Sequence, residues 1–236
     1  MRELNDEAKK YLRVHAQRFY YLWSLVHSLR KNISQRSIRI CDVGPSFFTE
    51  ILERSFPSDA ILSLGFEHEL SRGGHLPSSV QINEKNFLHF NLNDSQHREK
   101  WLSISPCDIF IMAEVLEHLY VAPSLVLKFL HSVLTTNGYL IIQTPNAASS
   151  LKRLRLLFGR NPYEMIRENA ENPGHFREYT TRELCALGEQ GGFRVVLAER
   201  KNYFRRTNVI EKIYGAMQSL VPPSLKDGIT IVFQKI

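Results

Sequence analysis

The chain has 236 residues, a length that favours one α/β core with one or two elaborations over two domains. Hydrophobic residues make up 43% of it and charged residues 23%, which excludes a disordered or fibrous protein. The net charge of +6 is compatible with acidic partners and also with a plain soluble surface. Three separated cysteines without a CxxC pair indicate neither disulfides nor a thiolate metal site, and no apolar run is long enough to span a membrane. We therefore expect a soluble, cytoplasmic protein.

The segment from about Asn5 to Arg30 has apolar residues at alternating steps of four and three, which predicts a long amphipathic helix. We expect this stripe to pack on the rest of the domain. Residues 1–35 are thus predicted to form an N-terminal helical extension of a domain that spans residues 36–236. The stripe consists of Leu12, Ala16, Phe19, Trp23 and Val26.

Seven short apolar runs follow, separated by helical or turn-rich stretches. Runs this apolar suit a sheet that is covered on both faces, and the intervening helices suit parallel crossovers. The pattern therefore predicts an α/β fold with a Rossmann-like, doubly wound, mostly parallel sheet of seven strands. The runs are SIRICDVG, DAILSLGFE, FLHFNL, CDIFIMAE, GYLIIQT, FRVVLAE and GITIVFQKI.

Two helices have well-marked ends. Pro123 begins a helix between the fourth and fifth strands, and Gly138 follows its end. The T-x-x-E pattern from Thr180 to Glu183 is a capping box that begins a second helix, which stops near Gly191.

The stretch from Asn146 to Tyr179 has no strand signal. It contains the basic, helix-like run LKRLRLLFGRNPYE, which Gly159 and Pro162 interrupt. We predict that residues 146–179 form an insertion after the fifth strand that covers the sheet edge as a substrate lid.

Polar residues at the strand ends matter most, because ligands of parallel sheets bind outside the carboxyl ends of the strands. Gly44 permits a tight turn after the first strand, but the G-x-G-x-x-G pattern of a dinucleotide site is missing. A pyrophosphate cradle is therefore not expected. Glu67 ends the second strand, where a carboxylate usually accepts hydrogen bonds from ribose hydroxyls. The alternative for Glu67 is a solvated loop carboxylate.

Several segments together resemble the class I S-adenosylmethionine-dependent methyltransferases, particularly the small enzymes of polysaccharide and secondary-metabolite gene clusters. The resemblance covers about residues 38–196. It depends on CDVGPSFFTE as the cofactor loop, HFNLND after the third strand, MAEVLEHL at the fourth, LTTNGYLIIQTPN through the fifth, and HFREYTTREL leading to GGFRVV.

The resemblance implies a cofactor site at the ends of strands one to four. Asp42 and Gly44 would contact the methionine moiety and Glu67 the ribose, and Asn91 and Leu92 would flank the adenine. Glu114 would face the reaction centre as well as the cofactor. Two features depart from the family pattern: the loop lacks the later glycines, and Asn91 stands where an aspartate is common.

A second cluster is predicted from the E-x-x-E-H pattern of Glu114, Glu117 and His118, together with His175 of the insertion. The resemblance extends here to small-RNA 2′-O-methyltransferases and ubiquinone-pathway O-methyltransferases, in which a similar motif binds metal. Carboxylates and imidazoles suit Mg²⁺, Mn²⁺, Fe²⁺ or Zn²⁺. Without metal, His118 or His175 could be the general base, or either could be structural. We expect all four residues to converge beside the transferred methyl group as catalytic or metal-binding residues.

The acceptor is expected to meet the basic insertion. We predict that Arg153, Arg155, Arg177 and Tyr179 bind it, although basic runs are usually solvated helix faces. The sequence thus predicts a methyltransferase that acts on oxygen of a small or anionic acceptor. An inactive binding scaffold and an RNA 2′-O-methyltransferase remain as alternatives. Nucleic acid is not favoured, because no separate RNA-binding module is visible.

Overall fold

The computed structural model describes residues 5–66, 83–169, 173–203 and 221–236. The predicted seven-stranded, mostly parallel sheet is confirmed, with strands in the order β3-β2-β1-β4-β5-β7-β6. Only β7 runs antiparallel to its neighbours in the described sheet. The strands are β1 (Arg39–Val43), β2 (Ala60–Gly65), β3 (Phe87–His89), β4 (Cys107–Ala113), β5 (Leu134–Pro145), β6 (Phe193–Lys201) and β7 (Gly228–Lys235).

The strand order reverses between β1 and β4. The chain builds outward from β1 through β2 to β3, then returns to place β4 on the other side of β1. Because Val43 pairs with Met112 in parallel register, the carboxyl ends of β1 and β4 open at the same edge. This is the switch point at which open α/β sheets bind ligands.

Helix α1 (Asp6–Lys31) begins where the sequence predicts, with the Asn5 side chain accepting a hydrogen bond from the Ala8 amide at 2.8 Å. Phe19 and Val26 of the predicted stripe are buried, and the Phe19 ring stacks on Phe48 at 5.7 Å. Ala16 of the stripe is exposed, so the prediction was wrong there. The buried face runs instead through Arg18, Phe19, Leu22, Val26 and Leu29.

Helices cover both faces of the sheet, as its apolar strands require. The first face packs α1 and α2 (Phe47–Ser55) against apolar residues of β1, β4 and β5. The second packs α3 (Pro123–Ser132) and α5 (Thr181–Gln190) around Phe129 and Phe193. The predicted capping box is present, because Thr180 and Glu183 exchange hydrogen bonds at the start of α5.

The two ends of the insertion lie side by side. Asn146 and Tyr179 form an isolated parallel bridge, and the Ala147 amide donates to the Tyr179 carbonyl at 2.9 Å. Helix α4 (Ser150–Leu157) lies within the insertion and buries none of its residues. Among the described residues, no helix is long and apolar enough to cross a membrane.

Candidate active site

The end of β1 holds a buried carboxylate beside a left-handed turn. Asp42 is 3% exposed, and the Thr49 hydroxyl of α2 donates to it at 2.6 Å. Burial raises the pKa of Asp42 to about 7, although the Thr49 hydrogen bond and the Arg18 charge lower it. Gly44 has a φ of 76°, and its amide donates to the Leu64 carbonyl at 2.9 Å. The conformation explains why glycine stands there.

The end of β4 is strained. Glu114 has a φ of 58°, a left-handed conformation that costs a non-glycine residue about 1–2 kcal/mol. Its amide donates to the Gln143 carbonyl at 2.7 Å, which fixes the turn. Its buried Oε1 has no hydrogen-bond partner among the described residues, and burial raises the pKa of the carboxyl. Strained residues concentrate at functional sites, so this geometry favours a functional role for Glu114.

The structure brings Glu117, His118 and His175 together. One potential ligand atom from each lies within 4.8 Å of the other two, and the two imidazole rings are 4.7 Å apart. Glu117 is fully buried and accepts a hydrogen bond on Oε2 from the Thr144 hydroxyl at 2.9 Å, whereas Oε1 has no partner among the described residues. Burial, followed by the charge of Glu114, raises the pKa of Glu117. The expected proximity of His175 is thus present, and Glu114 lies outside this three-residue group; their catalytic roles stay predictions.

Both imidazoles are held through Nδ1. His118 Nδ1 lies 2.9 Å from the Gly174 carbonyl, and His175 Nδ1 lies 3.1 Å from Oε1 of Glu178. Because these acceptors require a proton on Nδ1, the lone pair of each neutral ring is on Nε2. Burial lowers the pKa of both histidines, that of His175 to about 4. Each ring therefore offers an unprotonated Nε2 at neutral pH.

Backbone hydrogen bonds attach the insertion to the end of β4. The amides of Phe176 and Arg177 donate to the Glu117 carbonyl at 2.8 and 3.3 Å. Lys152 of α4 contacts Glu178, the residue that holds His175, and burial lowers the pKa of Lys152 to about 8. The position of His175 thus depends on the fold of the insertion.

Helix α1 contributes residues that the sequence analysis missed. Arg18 is 5% exposed and hydrogen bonds to Tyr11, and its charge lowers the pKa values of Asp42 and Glu114 against the larger effect of burial. His15 stacks on Tyr11 with ring centroids 4.0 Å apart. The i, i+4, i+7 spacing of Tyr11, His15 and Arg18 is a signal of one helical face, but an arginine on it would ordinarily be assigned to solvent.

The other predicted residues are more dispersed. The Asn91 side chain accepts a hydrogen bond from the Asn93 amide at 2.9 Å, and Leu92 is buried in the core. Glu67 lies outside the described residues. Arg153 and Arg155 are exposed, Arg177 pairs with Glu183 at 2.6 Å, and Tyr179 is 2% exposed. The Arg177 guanidinium lies over the Tyr179 ring at 5.3 Å, and the role of these four residues in acceptor binding stays a prediction.

Comparison with known proteins gives a consistent family. Residues 14–198 match the methyltransferase domain family. Curated proteins give no match. Similar solved structures include an S-adenosylmethionine-dependent methyltransferase from Methanosarcina mazei, with 18% identity, a TM-score of 0.54, and coverage of 88% of this chain and 97% of that one.

Two further structures share the fold at greater sequence distance. One is a possible histamine N-methyltransferase from Thermotoga maritima, with 14% identity, a TM-score of 0.55, and coverage of 98% and 95%. The other is magnesium protoporphyrin IX methyltransferase from Synechocystis with bound SAH, with 13% identity, a TM-score of 0.54, and coverage of 100% and 90%.

Proposed function

The chain belongs to the class I S-adenosylmethionine-dependent methyltransferase family, and on that premise we propose that it methylates a hydroxyl oxygen. The observation that carries the proposal is the pair of imidazoles, His118 and His175, whose Nε2 atoms are left unprotonated because Nδ1 of each ring is held at an acceptor. A hydroxyl acceptor needs a group that takes its proton during transfer, and imidazole is the side chain best suited to that task at neutral pH.

The cofactor is assigned to the β1 side of the crevice. Asp42 on β1 and Glu114 directly after the neighbouring strand β4 place two carboxylates at this edge, and they suit the positive charges of the sulfonium cofactor. Arg18 provides a buried cation there, which suits the carboxylate of the methionine moiety. An acceptor with a negative group would meet Lys152, which lies near Glu114 and Glu117.

In the proposed reaction, the acceptor hydroxyl donates a hydrogen bond to Nε2 of His175 or His118. The oxygen forms a bond to the methyl carbon as its proton moves to the imidazole, and the carbon–sulfur bond breaks with its electron pair on sulfur. The products are a methyl ether, a neutral thioether and an imidazolium. The insertion excludes water, and positioning of the two reactants supplies much of the rate.

The side chains of Glu117, His118 and His175 together fit a divalent cation. Two neutral imidazole nitrogens and the unpartnered Oε1 of Glu117 are ligands typical of Zn²⁺, Mn²⁺ or Fe²⁺ more than of Mg²⁺. The Nδ1 contacts of His118 and His175 are the outer contacts that orient metal-binding imidazoles. A cation held there would lower the pKa of an acceptor hydroxyl.

The proposal is tested with labelled S-adenosylmethionine and three acceptor classes: hydroxylated carboxylic acids, primary amines and single-stranded RNA. We expect methyl ethers on the hydroxylated acids, identified by mass spectrometry. Methylation of amines alone would contradict the proposal. Methylation of RNA ribose would favour the RNA 2′-O-methyltransferase alternative over a small acceptor.

Treatment with EDTA, followed by addition of Zn²⁺ or Mn²⁺, tests the cation. Loss and recovery of activity would support metal assistance, and calorimetric titration of the metal into wild type and His118→Ala gives a readout independent of turnover. Activity that survives both EDTA and the double change His118→Ala/His175→Ala would defeat the metal and the base versions of the mechanism together.

A further inference from the structure

The insertion from Arg153 to Ile166 carries an exposed apolar surface that methyl transfer does not use. Single exposed apolar residues are ordinary, but a continuous group of them usually marks a contact site. Leu157 is 79% exposed, Phe158 71% and Met165 87%, which is close to the exposure of an unfolded chain. We call this group the insertion surface; its apolar side chains are Leu154, Leu156, Leu157, Phe158, Met165 and Ile166.

The helical part of this surface has an apolar stripe that is flanked by arginines and faces solvent. Leu154, Leu157 and Phe158 stand at i, i+3 and i+4, so they share one side of α4 and its C-cap. Arg153 and Arg155 lie about 100° on either side of Leu154 and flank that stripe. Since α4 buries none of its residues, the stripe faces solvent rather than the core.

The charge of the surface is positive, because its three arginines outnumber its one acid, Glu164, which pairs with Arg167. Arg153, Arg155 and Arg160 are exposed, and none of them is in an ion pair within the part of the chain that the structure describes. The Arg153 guanidinium donates to the Ala148 carbonyl at 2.9 Å. The arginines are therefore available to phosphate or carboxylate groups.

We propose that the insertion surface binds the anionic surface of a phospholipid bilayer. Apolar side chains flanked by arginines match a lipid interface, where the apolar stripe enters the acyl boundary and the guanidinium groups meet phosphates. Charge complementarity and apolar exposure thus indicate the same partner. RNA would use the arginines and the aromatic Phe158, but it would leave Leu154, Leu157 and Met165 in water.

Membrane contact would lie close to the active site. Lys152, on the same helix as Arg153, contacts Glu178, and Glu178 holds His175. The insertion is also hydrogen bonded to the backbone of Glu117. Binding at the insertion surface would therefore bring the crevice to the bilayer, whichever acceptor is methylated there.

The test is sedimentation of the full chain with vesicles of pure phosphatidylcholine and with vesicles that contain about one third phosphatidylserine. We expect binding to the second kind that weakens as salt rises. Leu157→Ser/Phe158→Ser should reduce the affinity about tenfold or more, because the stripe loses its apolar contacts. Arg153→Gln/Arg155→Gln should reduce it about fivefold for each arginine at low salt. A matched loss of two charges, Arg13→Gln/Arg36→Gln, removes exposed arginines outside the surface and should change the affinity little.

Circular dichroism of each variant checks that it folds. We do not expect unfolding, because the substituted side chains are exposed. Absence of binding to anionic vesicles by the wild type would overturn the proposal. Equal losses in the surface and control variants would also overturn it, since general charge would then explain the binding. Binding of a single-stranded RNA that the arginine variant loses and the Leu157→Ser/Phe158→Ser variant keeps, without vesicle binding, would assign the surface to nucleic acid instead.

Discussion

The two sides of the crevice are built in different ways. The side proposed for the cofactor consists of a buried carboxylate on β1 and a strained one after β4, covered by α1, and its geometry follows from neighbouring strands of the sheet. The side proposed for the acceptor consists of two imidazoles that lie together because the insertion folds back onto Glu117. A sheet-built site is rigid, whereas an insertion-built site can change without disturbing the sheet. Chemistry on the second side should therefore be separable from binding on the first.

The largest expected effect is on the acceptor side. His175→Ala should lower kcat by about a hundredfold to ten-thousandfold, because either the base or a metal ligand is lost. The affinity for S-adenosylmethionine, measured by calorimetry, should stay within error. His131→Ala is the matched control, since it removes a half-buried histidine of α3 that lies away from the crevice. Equal losses of cofactor affinity and kcat would show that the two sides are one unit.

Asp42→Asn should instead weaken cofactor binding. We expect the affinity for S-adenosylmethionine to weaken by about 1–3 kcal/mol, because a buried charge opposite the cationic cofactor is lost. The raised pKa of Asp42, about 7, also sets a pH dependence. The proton is released as the pH rises through 7, so wild-type affinity should improve about tenfold per pH unit below that value and level off above it. Calorimetry across this range should show no such slope for Asp42→Asn.

Lys152→Gln should also lower kcat without changing cofactor affinity, but by less than His175→Ala. The change removes the cation that contacts Glu178, so the carboxylate that holds His175 becomes free to move. We expect kcat to fall by about tenfold with unchanged cofactor affinity, and Lys152→Arg to restore most of it. An unchanged kcat would show that the hydrogen bond from His175 to Glu178 needs no support.

The smallest expected effect is on stability. Glu114→Gly should raise the free energy of unfolding by about 1 kcal/mol, because glycine adopts a φ of 58° without strain. Activity should fall in the same variant. Asn137→Gly is the matched control, with a φ of 62° near the start of β5 and outside the crevice, and it should keep full activity. Destabilisation of Glu114→Gly in urea would show that the side chain contributes more than its strained backbone costs.

The sheet could be predicted because its signals are local. The elements of the sheet are determined by residues close together in the sequence. Examples are the seven apolar runs, Pro123 at the start of α3 and the Thr180 capping box of α5. The start of β5 was not predicted correctly. The strand begins at Leu134 rather than near Gly138, because its first residues pair with β4 at Cys107, before a shift in register. Strand propensity alone does not locate such an irregularity.

The site was only partly predictable, for a related reason. The E-x-x-E-H motif and the position of the insertion sufficed to predict that His175 lies near His118. Arg18 could not be predicted, since its burial depends on carboxylates of β1 and β4 that are distant in sequence. The exposure of Arg153 and Arg155 likewise reflects how α4 sits on the domain, which its amphipathic sequence does not determine.

The bridge between Asn146 and Tyr179 closes the insertion into a loop whose two ends are adjacent. Because chain entry and exit lie side by side, the segment between them can lengthen, shorten or be replaced with little change in the sheet that it leaves and rejoins. The Asn146 side chain strengthens this anchor by donating to the carbonyls of Ser224 and Lys226. On the proposed assignments, acceptor preference and surface attachment could thus be exchanged together in one segment, while the methyl donor's side of the crevice stays unchanged.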